Sequence, residues 1–474
     1  MLGFVALGVR MPAELTRWAD VALQFTTEHF GWLYLFATTG FLIFCIGVGL
    51  GPHGRIRLGA DGEAPEFPYL TWLGMIFSAG MGVGLVFWGV AEPMSHFIAP
   101  PLGMADARST RAAELAIQYS FFHWGFHQWA NFGIVGLAIA YARFRLDRPG
   151  LISETFRSAL GDRVDGAAGY AINMLAVVST VFGVATTMGL GIIQINSGLG
   201  TVAGVGFGLD NQLAILGGIA MVFLLASMTP LKAGIRYVSD ANMLLAGLVL
   251  LFVFFAGPTD FLTAVLTNGI GDYFANLIGM SLVMEPYTGE DWVQRWTLFY
   301  WAWGLSWAPF VGSFVARISR GRTIRELILN GVLWGSVGCW CFFAIWGGYA
   351  LDVQISGVVD LSTILSDQGI PATVVAVLGT LPWGSVVLPV FTVLCFIFLA
   401  TTVDSSAYML AAVCTRELTG YQEPARWNRI LWTLVVAGLG VALLLVGGLE
   451  AVQASTVLVA LPMIPVLVLL LLSL

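Results

Sequence analysis

Charge is what this sequence has least of. Only 10% of its 474 residues are Asp, Glu, Lys or Arg, whereas 58% are hydrophobic and the mean hydropathy is +0.85. Such a chain cannot cover a soluble globule with a normal polar surface. Cysteine is nearly as sparse: Cys45, Cys339, Cys341, Cys395 and Cys414 lie within or at the ends of apolar runs, without the spacing of a disulfide framework or zinc site. Cys339 and Cys341, two apart, do not share a helix face. The period-two alternation of membrane barrel strands is absent, which leaves helices as the spanning structure. No basic stripe suited to nucleic acid accompanies the net charge of −7. Nor do a nucleophile, a base and an orienting group occur as a set, so no enzymatic activity is expected.

What is present is a succession of apolar runs, at 31–51, 68–90, 116–142, 170–200, 211–228, 238–257, 292–316, 327–350, 383–414, 428–449 and 452–474. Most reach the roughly 20 residues a helix needs to cross the hydrocarbon core. The chain therefore reads as an all-α polytopic membrane protein embedded in a lipid bilayer. Residues 1–9 are apolar but too short to span, and lack the basic front and cleavage site of a signal peptide; they read as the tail of a truncated first helix.

Basic residues set the orientation. With the loop after 31–51 cytoplasmic, Arg55, Arg57, Arg143, Arg145, Arg148, Arg317, Arg320, Arg322 and Arg325 fall inside with most other basic residues. Only Arg10, Arg17, Arg108, Arg111 and Arg295 fall outside, in keeping with the positive-inside rule. The outer loops collect acids, among them Asp260, Glu285, Asp352 and Asp360. The outer segment 258–283, amphipathic and interrupted by Gly269 and Gly271, is expected to lie in the interface, and 358–365 to form a short helix over the outer vestibule.

Two spanning runs carry interruptions at corresponding places: Gly80, Gly82 and Gly84 in the first, Gly304 and Pro309 in the second. Paired broken helices point to a transporter with inverted repeats and a midplane site. The glycines would bare main-chain oxygens to a small cation and let a substrate approach the backbone. Gly80 and Gly84 would also serve as a plain packing contact. Downstream, Trp301, Trp303 and Trp307 fall within two turns. That density suits a cage for a quaternary ammonium, which carries charge but no N–H and is held by ring faces. A packing face or an interfacial belt is the other reading. Trp124, Trp129 and Phe132 could close the cage from a second helix.

His123 and His127, at i, i+4, have a metal-site spacing but no acidic third ligand nearby in sequence. Thr401 and Thr402 offer hydroxyls to a hard cation such as sodium, or bond back to their own helix. The intramembrane Asp404 points elsewhere and is assigned a structural hydrogen bond. The arginines of 316–326 suffice as a topology anchor.

Together these segments resemble the betaine/carnitine/choline transporter family from about residue 28 to the C-terminal end. The resemblance rests on Ala79-Gly-Met-Gly-Val-Gly-Leu85 with Ala91-Glu-Pro93, on His123-Trp-Gly-Phe-His127, on Phe299-Tyr-Trp-Ala-Trp303 running on into 316–326, and on Thr401-Thr-Val-Asp-Ser405. It implies about twelve transmembrane helices, the first truncated, with a five-plus-five inverted-repeat core similar to that of the leucine transporter. The implied organisation is 1–67 peripheral, 68–257 first repeat, 258–291 outer segment and 292–474 second repeat, as a homotrimer in a bacterial-type inner membrane.

By the same resemblance, Trp124, Trp129, Trp303 and Trp307 match an aromatic substrate box, with Phe132, Gly82 and Gly84 beside it and Phe310 lower on the inward path. The main-chain oxygens of Ser78, Met81 and Phe398 with the hydroxyls of Thr401 and Thr402 match a sodium site. The implied activity is sodium-coupled import of a small quaternary-ammonium or related zwitterionic solute, such as glycine betaine or choline, by alternating access. A sodium-independent exchanger of the carnitine type is the alternative, with a sensor or channel behind it. Sodium coupling is favoured because the chain has no Lys or Arg between Arg163 and Lys232 and no Met within 311–316, where sodium-independent members carry replacements. Three positions depart from the family pattern. Gly304 stands where a box indole is usual, Phe132 where a Tyr often contributes, and Val184 breaks the Thr pair begun by Thr180 that marks a second sodium site, so one sodium per cycle is expected.

Overall fold

The computed structural model describes residues 2–80, 82–228, 232–287, 289–415, 424–446 and 449–474. Its helices are α1 (Leu2–Arg10), α2 (Pro12–Leu50), α3 (Tyr69–Gly80), α4 (Val83–Ile98), α5 (Thr110–His123), α6 (Phe126–Phe144), α7 (Arg157–Leu160), α8 (Ala167–Ala203), α9 (Leu209–Met228), α10 (Lys232–Ala256), α11 (Thr259–Ser281), α12 (Trp292–Arg295), α13 (Thr297–Ile318), α14 (Gly331–Ile355), α15 (Leu361–Gln368), α16 (Ile370–Gly379), α17 (Gly384–Val413), α18 (Arg426–Val446) and α19 (Leu449–Ser473). Among the described residues no strand forms beyond a single bridge between Arg57 and Thr323. Seven of these helices are long and apolar enough to cross a membrane, or eight if α3 and α4, bent by 68° at their break, make one span. The protein is thus an all-helical polytopic membrane protein.

Helix α8, 37 residues long, is largely buried, with α17 and α13 packed along it. Helix α13 also packs against α6 and α19. By contrast α2 turns an apolar stripe outward. Trp18, Phe25 and Trp32, then Phe36, Ile43 and Leu50, repeat every seven residues on one face and are 49–67% exposed. A stripe of that kind suits hydrocarbon rather than water.

At the inner end the 52–67 loop is sewn to the arginine loop after α13. The Leu58 N–H donates to the Arg322 carbonyl (2.8 Å), the Gly321 N–H to the Leu58 carbonyl (2.7 Å) and the Ile324 N–H to the Ile56 carbonyl (2.9 Å). Arg325 Nε donates to the Gly49 carbonyl (2.7 Å), one of those left open where α2 ends. Arg320 pairs with Glu63 at 2.6 Å and Arg145 with Asp61 at 2.7 Å. The Ala60 N–H and the Arg320 guanidinium hold the Glu63 carboxyl below its ordinary range. Loops assigned to one side by charge do meet, and these arginines are structural as well as topological.

Three expectations are corrected. Segment 258–283 forms the unbroken helix α11, packed on α5 and α14. Gly269 does not interrupt it but allows close approach, since a Cβ there would lie 2.8 Å from both Ile117 and Phe121. Likewise α13 runs unbroken through Gly304 and Pro309; the chain bends earlier, at Trp296 between α12 and α13. The paired interruption therefore occurs at α3/α4 only, while a second break separates α5 from α6 at Trp124 and Gly125. Finally, the short outer helix begins at Leu361, where the Asp360 carboxylate caps the Thr363 N–H, rather than at 358.

Candidate functional site

Helix α4 starts abruptly. Its N-cap, Gly82, has φ −153° and ψ −143° and offers no side-chain cap, so first-turn N–H groups face the break without a covering side chain. Beside the break lies a cavity of about 350 Å³, counted to its open mouth, lined by Gly80, Gly82, Gly84, Leu85, Trp124, Gln128, Phe132, Thr187, Trp303 and Trp307. Trp303 and Trp307 share a face of α13 by their i, i+4 spacing. Glycines let both indoles sit against backbone: a Cβ would lie 2.5 Å from Trp303 at Gly84 and 2.8 Å from Trp307 at Gly183.

The walls meet at right angles. Trp124 and Trp303 are edge to face (centroids 5.7 Å apart, 88°), and Trp303 is backed by Phe299 (5.7 Å, 16°). Nε1 of Trp303 and of Trp307 is buried without a hydrogen-bond partner. Indole faces attract a cation, so the arrangement fits the cationic end of a small solute.

A buried carboxylate fixes Trp124. Its Nε1–H donates to Glu92 Oε2 (2.8 Å), while Glu92 Oε1 lies 2.6 Å from His123 Nδ1 and 3.3 Å from His96 Nε2. His123 Nε2 in turn meets Thr297 Oγ1 at 3.0 Å. Glu92, His96 and His123 are all fully buried. Sequence reasoning found no acid near His123, because Glu92 lies 31 residues away on α4. The available signal was the charge of Ala91-Glu-Pro93 inside an apolar run. Three potential metal-ligand atoms thus converge within 4.8 Å, but they hydrogen-bond one another. His127 is not among them; it meets Ser281 Oγ at 3.1 Å and stacks on Trp301 (5.1 Å, 22°). The i, i+4 histidine pair therefore does not converge on one point.

Of the residues expected at the substrate, Gly82, Gly84, Trp124, Phe132, Trp303 and Trp307 line the cavity. Trp129 does not. It stacks on Phe77 (6.1 Å, 14°) and meets the edge of Phe132 (5.8 Å, 85°), supporting the wall from behind. Gly304 is covered by the side chain of Gln128. Phe310 touches the edge of Trp307 (5.4 Å, 82°) and lines a second cavity of about 380 Å³ with Thr180, Ser313 and Met409, on the side of the 143–169 loop. Trp301, wholly buried against Phe122 and His127, is a packing residue.

Among the expected sodium ligands, the Thr402 hydroxyl approaches the break, 3.5 Å from where a Gly82 Cβ would stand. Thr401 Oγ1 donates to the Ile397 (2.9 Å) and Phe398 (3.1 Å) carbonyls. A donating hydroxyl keeps its lone pairs, so this back-bonding is compatible with ligation. Ser78 lies in the last turn of α3, and Met81 lies outside the described residues. Asp404 forms an ion pair with Arg429 at 3.6 Å. Thr186 meets Thr456, whereas Thr187 reaches the cavity.

A multi-pass helical membrane protein with an aromatic chamber beside a helix break has the build of a membrane transporter. More narrowly, the chain belongs to BCCT, the betaine/carnitine/choline family transporters, which it matches over residues 1–474. It is 42% identical to the ectoine/hydroxyectoine transporter of Virgibacillus pantothenticus over 470 residues, 99% of this chain and 92% of that one. It is 40% identical to the glycine betaine transporter OpuD of Bacillus subtilis (99% and 91% covered) and 36% to glycine betaine transporter 1 of Vibrio parahaemolyticus (90% and 80%). Members of this family are transporters, not enzymes.

Proposed function

We propose that this protein imports a small zwitterionic or cationic compatible solute, of the betaine or ectoine kind named for its relatives, together with sodium. The observation that carries the reading is the cavity at the α3/α4 break, walled by Trp124, Trp303 and Trp307. The cationic end of the solute sits among the rings, and its carboxylate meets the uncapped start of α4, where the helix dipole favours negative charge. Rings attract an organic cation without a bare acid in the chamber, which would also hold inorganic cations.

Sodium is cargo in this reading, held by main-chain oxygens of Ser78, Met81 and Phe398 and the hydroxyls of Thr401 and Thr402. Binding there would order the break that borders the chamber. The twelve-helix count, the five-plus-five inverted repeat over 68–257 and 292–474, a homotrimer, and residence in a bacterial inner membrane belong to the same proposal. Rocking of the repeat core against its surroundings would expose the chamber to each side in turn, inward past Phe310.

Purified protein tested for thermal stabilisation by glycine betaine, choline, carnitine and ectoine, with and without sodium, checks the reading. One or more solutes should raise the Tm, and more so with sodium. Stabilisation indifferent to sodium, with counterflow in its absence, would favour an exchanger.

A further inference from the structure

Outward of the chamber a buried amide has no partner. With the basic 143–169 loop on the inner side, α8 rises outward, and residues after Thr187, which lines the chamber, stand progressively nearer the outer surface. Gln194 lies two helical turns beyond Thr187 on the same face, about 10 Å further out. It is 1% exposed, and both Oε1 and Nε2 are buried without a hydrogen-bond partner. An amide left dry at both ends is costly compared with one that water reaches.

The helices around Gln194 are those that flank the break. On the same face of α8, a Cβ at Gly191 would lie 3.0 Å from Leu399 of α17 and 3.2 Å from Val83, the first residue of α4. One at Gly198 would collide with Thr392 of α17. Gln194 falls between these two glycines, in the seam where α4 and α17 close on α8. Thr392 does not serve it, since its hydroxyl donates to the Leu388 carbonyl of its own helix (2.8 Å). A path from the outer surface to Thr187 along this face exists when the seam parts. Parting would let water reach both ends of the amide, and closing strips that water without supplying a replacement.

We propose that the seam between α8, α4 and α17 at Gln194 is the outer gate of the chamber, and that the Gln194 amide biases it open: hydrated when the seam is parted, stranded when it is shut. This rests on the transport reading above and names what regulates access to that site. A group shifts an equilibrium only by what it gains in one state over the other, and here the gain is the amide's hydration. The bias also links closure to cargo. Shutting an empty chamber strands the amide with nothing in return, whereas shutting a loaded one offsets that cost through contacts to the solute.

Two variants of the full chain test this. In proteoliposomes Gln194→Leu, similar in size but with no polar group to strand, should lower the turnover of glycine betaine and ectoine uptake by about tenfold while raising the Tm. The opposite signs are the signature, because a residue that only packs would lose turnover and Tm together. In cells, Gln194→Cys should be modified by a membrane-impermeant thiol reagent added outside, and saturating solute should protect it. An unchanged or lower Tm in Gln194→Leu, or wild-type turnover, overturns the proposal. So does Gln194→Cys labelled no faster than wild type, or labelled equally with and without solute, even if Gln194→Leu does not fold. Uptake of neither probe by wild type would refute the transport reading and this inference with it; the other failures leave that reading standing.

Discussion

The indole of Trp124 is held by Glu92: Nε1–H donates to Oε2 across 2.8 Å, inside a bundle where both residues are buried. One wall of the chamber is therefore oriented by a carboxylate that does not line it. A charge-assisted bond of this kind is worth about 1.5–3 kcal/mol. Glu92→Gln, which keeps the shape but loses the charge, should raise the KM for transported solute by about tenfold with the protein still folded. An unchanged KM, measured by uptake, would show that the bond does not set the position of Trp124. Glu92→Leu should cost more, lowering the Tm, because it strands the His123 and Trp124 partners in the interior.

Each desolvated ring contact to a cation contributes up to about 2 kcal/mol, roughly a thirtyfold effect on affinity. Trp307→Ala should therefore weaken solute binding by at least about tenfold, and Trp307→Phe by less. Isothermal titration of the purified variants decides this. Wild-type affinity in Trp307→Ala would remove Trp307 from the chamber.

Gly84→Ala places a methyl 2.5 Å from the Trp303 ring and must move it. Uptake should fall steeply, with about 1–3 kcal/mol of lost stability from overpacking. Gly74→Ala on neighbouring α3 is the control, since nothing lies within 4 Å of the added Cβ. If both variants transport alike, close approach at Gly84 is not required.

Thr402 faces the break and Thr401 donates back to its own helix. Loss of both hydroxyls, Thr401→Ala with Thr402→Ala, should raise the sodium concentration for half-maximal uptake by about tenfold, the effect of losing oxygen ligands to a hard cation. A sodium curve superimposable on wild type would place the ion elsewhere.

Much of the chamber was legible because its chemistry is local. The i, i+4 indoles of α13, the glycine run and Trp124 with Phe132 each announce themselves within a few residues. Relations across the chain were not. Glu92 meets His123 from a separate helix, and no spacing rule anticipates a contact over 31 residues. Gln128 is hidden from sequence for the same reason: only packing of α6 on α13 shows that its amide fills the space at Gly304. Trp129 illustrates the converse. It has the right residue type and helix for the box, yet it packs against Phe132 and Gly80, which line the cavity in its place. The Gly304–Pro309 pair suggested a break that packing of α13 against α6, α8 and α19 suppresses; in α11 only Gly269 is packed, and Gly271, with nothing within 4 Å, stays helical without such support.

The most direct test is accumulation of radiolabelled glycine betaine and ectoine in proteoliposomes under an imposed sodium gradient, comparing wild type with a folded Trp303→Ala, Trp307→Ala double variant. Expected is saturable uptake above the external concentration in wild type, collapsing with the gradient and absent from the double variant. Undiminished accumulation in the double variant would contradict the central claim, that the aromatic chamber at the α3/α4 break is the transport site.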